Sequence, residues 1–396
     1  KTEGLYMHTR ELDQQYIIGT YKRQNVVLTR GCGAVAYDEE GKAYIDFGSG
    51  IGVNSLGYCH TAWVQAVTAQ AGQLNHTSNL YYTKPCGDLA KKLCDLTGYQ
   101  KVFFGNSGAE ANEGAIKIAR KYGIDHYGPS HTKIITLVNS FHGRTVTTLA
   151  ATGQDVFHQS FFPLTEGFDY ALAGDIEDVK TKVDENTAAI LVEFIQGEGG
   201  VLPLEKTFVK QLETLCQEKD ILLIADEVQT GVGRTGTFYC YEQYGVHPNL
   251  VTSAKGLGGG LPIGAILADE KTCKVFGAGD HGSTFGGNPI ACAGANCVVD
   301  VVGQPEFLEQ VRQKGAYLKE KLSKMPHVKD IRQMGLMIGF DLDTGTSAQV
   351  AAECVREGLL VLTAKQAVRL LPPLTITYEE IDKGLAVLEQ VLKTIV

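Results

Sequence analysis

From Tyr99 to about Leu267 the chain repeats one pattern: a short β-rich apolar run, a turn containing Gly or Ser, then a longer helical stretch. That alternation restricts the fold more than any single motif, because it is the pattern of an α/β sheet with helices on both faces. The spacing predicts strands over residues 102–104, 134–138, 189–194, 221–225, 250–253 and 264–268. Several lack in/out alternation, as strands buried on both faces do, so a mainly parallel sheet is expected. Between them, residues 109–122 set Ala111, Ala115, Ile118, Ala119 and Tyr122 on one helical face, and 206–218 reads as another amphipathic helix.

After Ile290 the texture changes. A charged helix over 306–324 leads to an apolar stretch at 331–342 and a helix at 347–358. A strand near Leu360, a break at Leu371-Pro372-Pro373 and a final helix over 378–395 follow. This reads as a smaller α+β unit, joined by the N-terminal piece 35–47, in which Tyr37-Asp38-Glu39-Glu40-Gly41-Lys42 has the composition of a hairpin turn. A chain of 396 residues also exceeds the size at which one hydrophobic core stops growing. The expected division is 1–55 as part of a small domain, 56–295 as a large ligand-binding domain and 296–396 as the rest of the small one.

Composition narrows the function classes. No segment approaches the roughly 18 uninterrupted apolar residues of a membrane helix. Lys1 to Arg10 is polar and lacks the apolar core of a secretion signal. The ten Cys form no CxxC pair and no cluster with His, which argues against a disulfide framework or a structural metal site and for reduced thiols in a cytoplasmic protein. A net charge of -9 is opposite in sign to the footprint of a nucleic-acid binder. Any phosphate is therefore expected in a local pocket.

Two landmarks carry chemistry. The run Ile221-Leu222-Leu223-Ile224-Ala225 delivers Asp226 and Glu227 at its carboxyl end, where ligands of open α/β sheets collect. Thr252-Ser253-Ala254-Lys255 is followed by Gly256-Leu257-Gly258-Gly259-Gly260, a loop poor in side chains that lets a bulky cofactor approach the backbone. A Lys at such a strand end loses its proton more easily through desolvation and can attack a carbonyl as the free amine. Pyridoxal chemistry also needs a carboxylate under the ring nitrogen, for which Asp226 is the candidate. Taken singly, Asp226 also reads as a helix cap and Lys255 as an ordinary surface turn. The Gly run is not a nucleotide-binding P-loop, since it lacks the Gly-Lys-Ser/Thr ending.

Two turns add to the pattern. Phe103-Phe104-Gly105-Asn106-Ser107-Gly108-Ala109-Glu110-Ala111-Asn112 is a strand, a tight turn and a helix start, whose free N–H groups and Ser107 hydroxyl suit a phosphate; a plain Ser N-cap has the same appearance. Ser140-Phe141-His142-Gly143-Arg144 places a ring and a cation at the same sheet edge. Phe141 suits stacking on a cofactor and Arg144 a carboxylate, or else they are a core residue and a surface ion pair.

With these motifs in this order, together with Glu193-Phe194-Ile195-Gln196-Gly197-Glu198-Gly199-Gly200, Ile224-Ala225-Asp226-Glu227-Val228-Gln229-Thr230-Gly231 and Gly282-Ser283-Thr284-Phe285-Gly286-Gly287, the chain resembles the class III aminotransferases from about Tyr16 to its end. These are fold type I pyridoxal-phosphate enzymes. The resemblance implies a large domain with a mainly parallel sheet flanked by helices, a smaller α+β domain, and pyridoxal 5′-phosphate as cofactor. It implies that Lys255 binds the cofactor as a Schiff base, Asp226 pairs with the ring nitrogen, and Val228 and Phe141 sandwich the ring. Gln229 would reach the ring hydroxyl, and Ser107, Gly108 and Ala109 would hold the phosphate. Thr284 would complete that site from a neighbouring subunit of a homodimer.

Within the class the chain looks most like members acting on N-acetylornithine, whose δ-amino group passes to 2-oxoglutarate in arginine biosynthesis. Ornithine, succinylornithine and 4-aminobutyrate are rival donors; more distant readings are an aminomutase and a non-catalytic phosphate-ligand module. Carried over by position, Arg144 and Ser283 would contact the donor, Tyr21 would line the entrance and Arg369 would grip the α-carboxylate of glutamate. Glu193 matches the glutamate that neutralises this arginine in ornithine-type enzymes. The chain departs from the family pattern at Phe194, Tyr58, Thr61 and Lys22, of which Lys22 and Tyr58 bear on substrate preference.

Overall fold

Runs such as Leu222-Leu223-Ile224-Ala225 carry no side chain that must reach water, and both faces of the sheet they build are covered. The computed structural model describes residues 8–395, so residues 1–7 of the polar N-terminus lie outside the described residues. The central sheet has seven strands in the order Lys101–Gly105, Gly264–Ala268, Leu250–Ser253, Leu222–Asp226, Thr187–Val192, Lys133–Leu137, Phe168–Ala171. All run parallel except Gly264–Ala268, which is antiparallel to both neighbours.

Alternate residues of each strand face opposite sides. Ile134, Ala189, Leu191, Leu222, Ile224, Leu250 and Ile266 meet Ala111, Ala115, Ile118, Ala119 and Tyr122 of the helix Gly108–Tyr127. Ile135, Ile190, Val192, Leu223, Ala225, Val251 and Leu267 face the other way, toward the core that holds Phe208, Leu212 and Leu215 of the helix Lys206–Lys219. Each fully buried aliphatic side chain contributes about 1.5–3 kcal/mol before entropy is counted, so this double-sided sheet is the stable plate on which the site rests.

The expected strands at 250–253 and 264–268 have the observed bounds. The strand expected to reach residue 194 stops at Val192, because Glu193 and Phe194 leave the sheet for a short hairpin, Ile195–Gln196 with Leu202–Pro203. The stretch 331–342 is two antiparallel strands, Val328–Met334 and Met337–Leu342, reversed at Gly335, whose φ of 55 is left-handed. These join Ala367–Leu370 and Leu362–Ala364 in a four-stranded sheet. A further sheet ties the chain ends together: Leu28–Cys32, Val35–Asp38 and Ala43–Asp46 form a meander, and Leu359–Leu360 adds in parallel, with Leu359 opposite Ile45. Among the described residues no helix is long and apolar enough to cross a membrane.

Candidate active site

At the carboxyl end of Leu222–Asp226 the last residue, Asp226, is 4% exposed and its carboxylate is fully engaged. Oδ2 accepts from Asn112 Nδ2 at 2.8 Å and lies 2.7 Å from His142 Nδ1, while Oδ1 accepts from the Val228 N–H at 3.0 Å. Asn112 is fixed in turn by Thr252, whose hydroxyl donates to its Oδ1 at 2.7 Å. A carboxylate with this many donors is held in one orientation.

The neighbouring strand, Leu250–Ser253, ends two residues before Lys255. Lys255 has a φ of 41, in the left-handed region unusual for a side-chain-bearing residue, and such strain concentrates at functional sites. Its amine has no hydrogen-bond or ion-pair partner among the described residues. Burial pushes the amine's pKa below the ordinary lysine value and Arg369 adds to this, against the opposing pull of Glu198, Asp226 and Glu193. The effect is a larger fraction of free amine near neutral pH.

On the other side of the antiparallel strand, Lys101–Gly105 turns into the helix Gly108–Tyr127, capped by Ser107, whose Oγ accepts from the Glu110 N–H at 3.1 Å. The first N–H groups of this helix face outward with its positive dipole end. Gly108 is required here for space: a Cβ would stand 2.6 Å from Val228 Cγ1. Val228 therefore reaches over the helix start.

A cleft of about 630 Å³ joins these parts and is lined by Tyr21, Ser107, Gly108, Ala109, Phe141, Arg144, Glu193, Asp226, Val228, Gln229 and Lys255. The geometry thus brings together eleven of the residues singled out from the sequence. Tyr21 is 73% exposed at the mouth, on a segment that follows a helix, Thr9–Tyr16, with no buried residue. A ring that carries a carbonyl for Lys255, a basic nitrogen for Asp226 and a phosphate for the Ser107 turn matches this donor set. The other ring nitrogen of His142, Nε2, is buried and has no partner among the described residues.

Ser283 and Thr284 do not line this cleft. Ser283 Oγ accepts from Asn106 Nδ2 at 3.0 Å, one residue from the Ser107 turn. Thr284 lines a second cleft of about 410 Å³, with Tyr81, Tyr82 and Phe285.

Arg369, on the strand Ala367–Leu370, is 3% exposed and bonds Glu198 Oε1 at 2.7 Å and Gln229 Oε1 at 3.1 Å. Its partner is thus Glu198, not Glu193 as expected. Glu193 is spent on the backbone, accepting from the Phe141 N–H at 2.9 Å and the Gly197 N–H at 3.3 Å, and burial followed by the Asp226 charge pushes its carboxyl well up. Burial also raises Glu198, but the charge and hydrogen bond of Arg369, together with Lys255, outweigh it and hold this carboxyl below its ordinary value. Gln229 belongs to the same group, its Nε2 3.5 Å from Glu198. Arg144 makes no ion pair among the described residues; its guanidinium lies 4.1 Å from the Phe157 ring centroid and 5.6 Å from that of Phe141.

Sequence reasoning assigned no role to Asn112, His142, Thr252 or Glu198. Asn112 had a readable signal, a polar side chain beside Ala111 and Ala115 on a helix that packs on a sheet.

The family described as Aminotransferase class-III matches residues 18–392. The acetylornithine aminotransferase of Haemophilus ducreyi is 52% identical over 385 residues, 97% of this chain and 98% of the relative. Among solved structures, the ornithine aminotransferase of Toxoplasma gondii superposes with a TM-score of 0.93 at 33% identity, covering 98% of this chain and 96% of that one. The N-acetylornithine aminotransferase of Stenotrophomonas maltophilia gives 0.83 at 35% identity, covering 94% and 97%.

Proposed function

Since the chain belongs to the class-III aminotransferases, we propose that it moves the δ-amino group of N2-acetyl-L-ornithine to 2-oxoglutarate, giving N-acetyl-L-glutamate 5-semialdehyde and L-glutamate in arginine biosynthesis. It is a pyridoxal-phosphate-dependent aminotransferase with the mixed α/β fold of those enzymes. The bound cofactor supplies an electron sink for the pair left when a proton is withdrawn beside the reacting nitrogen.

In this reading the residues divide the work. The free amine of Lys255 binds the cofactor covalently, is displaced by the donor, and then moves the proton. Asp226 holds a proton at the ring nitrogen, and its own orientation is held by Asn112 and His142. Val228 and Phe141 confine the ring, Gln229 reaches its hydroxyl, and Ser107, Gly108 and Ala109 bind the phosphate.

The observation that carries the substrate reading is the contrast between two arginines: Arg369 is neutralised by Glu198, whereas Arg144 is free at the mouth. Acetylornithine reacts at its δ-amine and carries its carboxylate far from that end, so it needs Arg144 and must not meet a bare Arg369. Glutamate carries a second carboxylate beside the reacting carbon and needs Arg369 released. A buried charge left unpaired is costly, so Glu198 serves as a removable counter-ion. Accordingly, Glu198→Gln, which keeps the shape and drops the charge, should slow the acetylornithine half-reaction about tenfold, near 1.4 kcal/mol, and leave the glutamate half-reaction equal or faster. Single-turnover rates with each amino donor decide it; equal losses would make the pair a structural one.

A panel of acetylornithine, succinylornithine, ornithine and 4-aminobutyrate tests the whole reading. The acetylated donor should have the highest kcat/KM, and a preference for free ornithine would give the protein the activity of its Toxoplasma neighbour, an ornithine aminotransferase.

The same proposal includes a homodimer with shared sites. Thr284 lines a cleft other than the one that holds its own chain's phosphate turn, and Leu80, Tyr81, Tyr82 and Phe285 are exposed by 84, 71, 107 and 60%. Apolar side chains concentrated like this mark an interface. A cytoplasmic setting suits ten free thiols, and we keep the division into 1–55, 56–295 and 296–396 as the domain proposal.

A further inference from the structure

Arg144 is exposed and unpaired, a condition in which a long cationic side chain samples many rotamers. Among the described residues it has no ion pair, and two rings stand against its guanidinium. Phe157 is the nearer, at 4.1 Å from ring centroid to guanidinium carbon, and it meets Phe141 edge-on at 5.8 Å between centroids and 76° between planes. Phe157 does not line the cleft and belongs to neither hydrophobic cluster. Its ring is therefore not committed to the core.

The turn that carries it is nevertheless fixed. Phe157 ends a short 3₁₀ turn, Asp155–Phe157, flanked by two buried polar residues. On one side Gln154 Nε2 donates to the Ser140 carbonyl at 2.9 Å, tying the turn to the loop that bears Phe141 and Arg144. On the other, His158 Nε2 lies 2.8 Å from the Leu149 carbonyl oxygen. A ring held this firmly and presented to a free guanidinium is a platform. Stacking occupies the face of the guanidinium and leaves its N–H edge for a carboxylate.

From this geometry we infer that Phe157 is a positioning residue for substrate selection: it holds Arg144 ready for the carboxylate distal to the reacting amine, without touching the substrate itself. The inference rests on the reading of Arg144 as the carboxylate site under the proposed function. Preorganisation of this kind lowers the cost of binding and leaves the chemical step alone.

The test uses the holoenzyme and two donors, acetylornithine and its decarboxylated form N-acetylputrescine. Phe157→Leu should raise the KM for acetylornithine about fivefold, near 1 kcal/mol, the size of an exposed cation–π contact. It should leave kcat within about twofold, cofactor retention unchanged and kcat/KM for N-acetylputrescine unchanged. Phe157→Tyr, which keeps the ring face, should restore the KM, and Phe157→Leu should add nothing in an Arg144→Ala background. Equal losses with both donors, or a full additional loss in that background, would overturn the role of Phe157. If wild type uses both donors equally well and Arg144→Ala changes neither, the carboxylate reading of Arg144 falls and takes this inference with it. If Arg144→Ala raises the KM for acetylornithine and Phe157→Leu does not, Phe157 falls alone.

Discussion

Lys255→Ala should reduce turnover by roughly 10⁴-fold or more, because one substitution removes both the covalent anchor of the cofactor and the amine that moves the proton. The amine stands without a partner at the end of the strand Leu250–Ser253, and burial lowers its proton affinity. Removing it leaves no unpaired buried carboxylate behind, since Asp226 keeps Asn112, His142 and the Val228 N–H, and Glu198 keeps Arg369. The variant is thus expected to fold and to retain some cofactor noncovalently. Borohydride treatment followed by denaturation should release cofactor from the variant and leave it attached to the wild type. Cofactor still fixed to the variant chain would assign the anchor to another lysine.

Asp226→Asn should be the next most damaging, at about 10²–10³-fold on the chemical step, the scale set by removing one preorganised electrostatic partner in a buried site. A neutral amide cannot keep a proton on a ring nitrogen, so the electron sink is lost while the pocket keeps its shape. There is also a structural cost. All the aspartate's neighbours face it as donors, and the amide's own NH₂ must confront one of them, which costs about 1–3 kcal/mol. Melting temperature and single-turnover rate separate the two effects. A single-turnover rate near wild type with a lowered Tm would make Asp226 the tie between Asn112 and His142 and nothing more.

The chemistry at the end of the central strands was legible because Asp226 and Lys255 stand at, or just past, the end of a run that only a buried strand explains. Glu193 was misread for the same reason. It was assumed to end a strand, but the strand stops at Val192, and the chain then makes a hairpin that brings Glu198 to Arg369. Which of two carboxylates five positions apart meets a distant arginine depends on that hairpin, and no periodicity records it. The edge strand Phe168–Ala171 was missed because its four residues include Asp169 and are only partly buried apart from Ala171. His142 carried no readable signal, since its partner Asp226 is distant in sequence and joins it only once the sheet has formed.

Within the central sheet, the antiparallel strand Gly264–Ala268 bears on how the protein becomes active. It lies between Lys101–Gly105 and Leu250–Ser253, so it separates the phosphate turn from the lysine in space, while Gly105 and Gly264, far apart in the chain, end up opposite each other. Contacts of such long sequence separation close late, because their loop entropy is not repaid until the intervening structure exists. A sheet that still lacks Lys101–Gly105 has the strand ends that carry Asp226 and Lys255 but not the phosphate turn, and so half a cofactor site. The ability to take up cofactor therefore arrives with the docking of Lys101–Gly105 onto this strand, and cofactor uptake during refolding is a readout of the closing of the sheet rather than of its beginning.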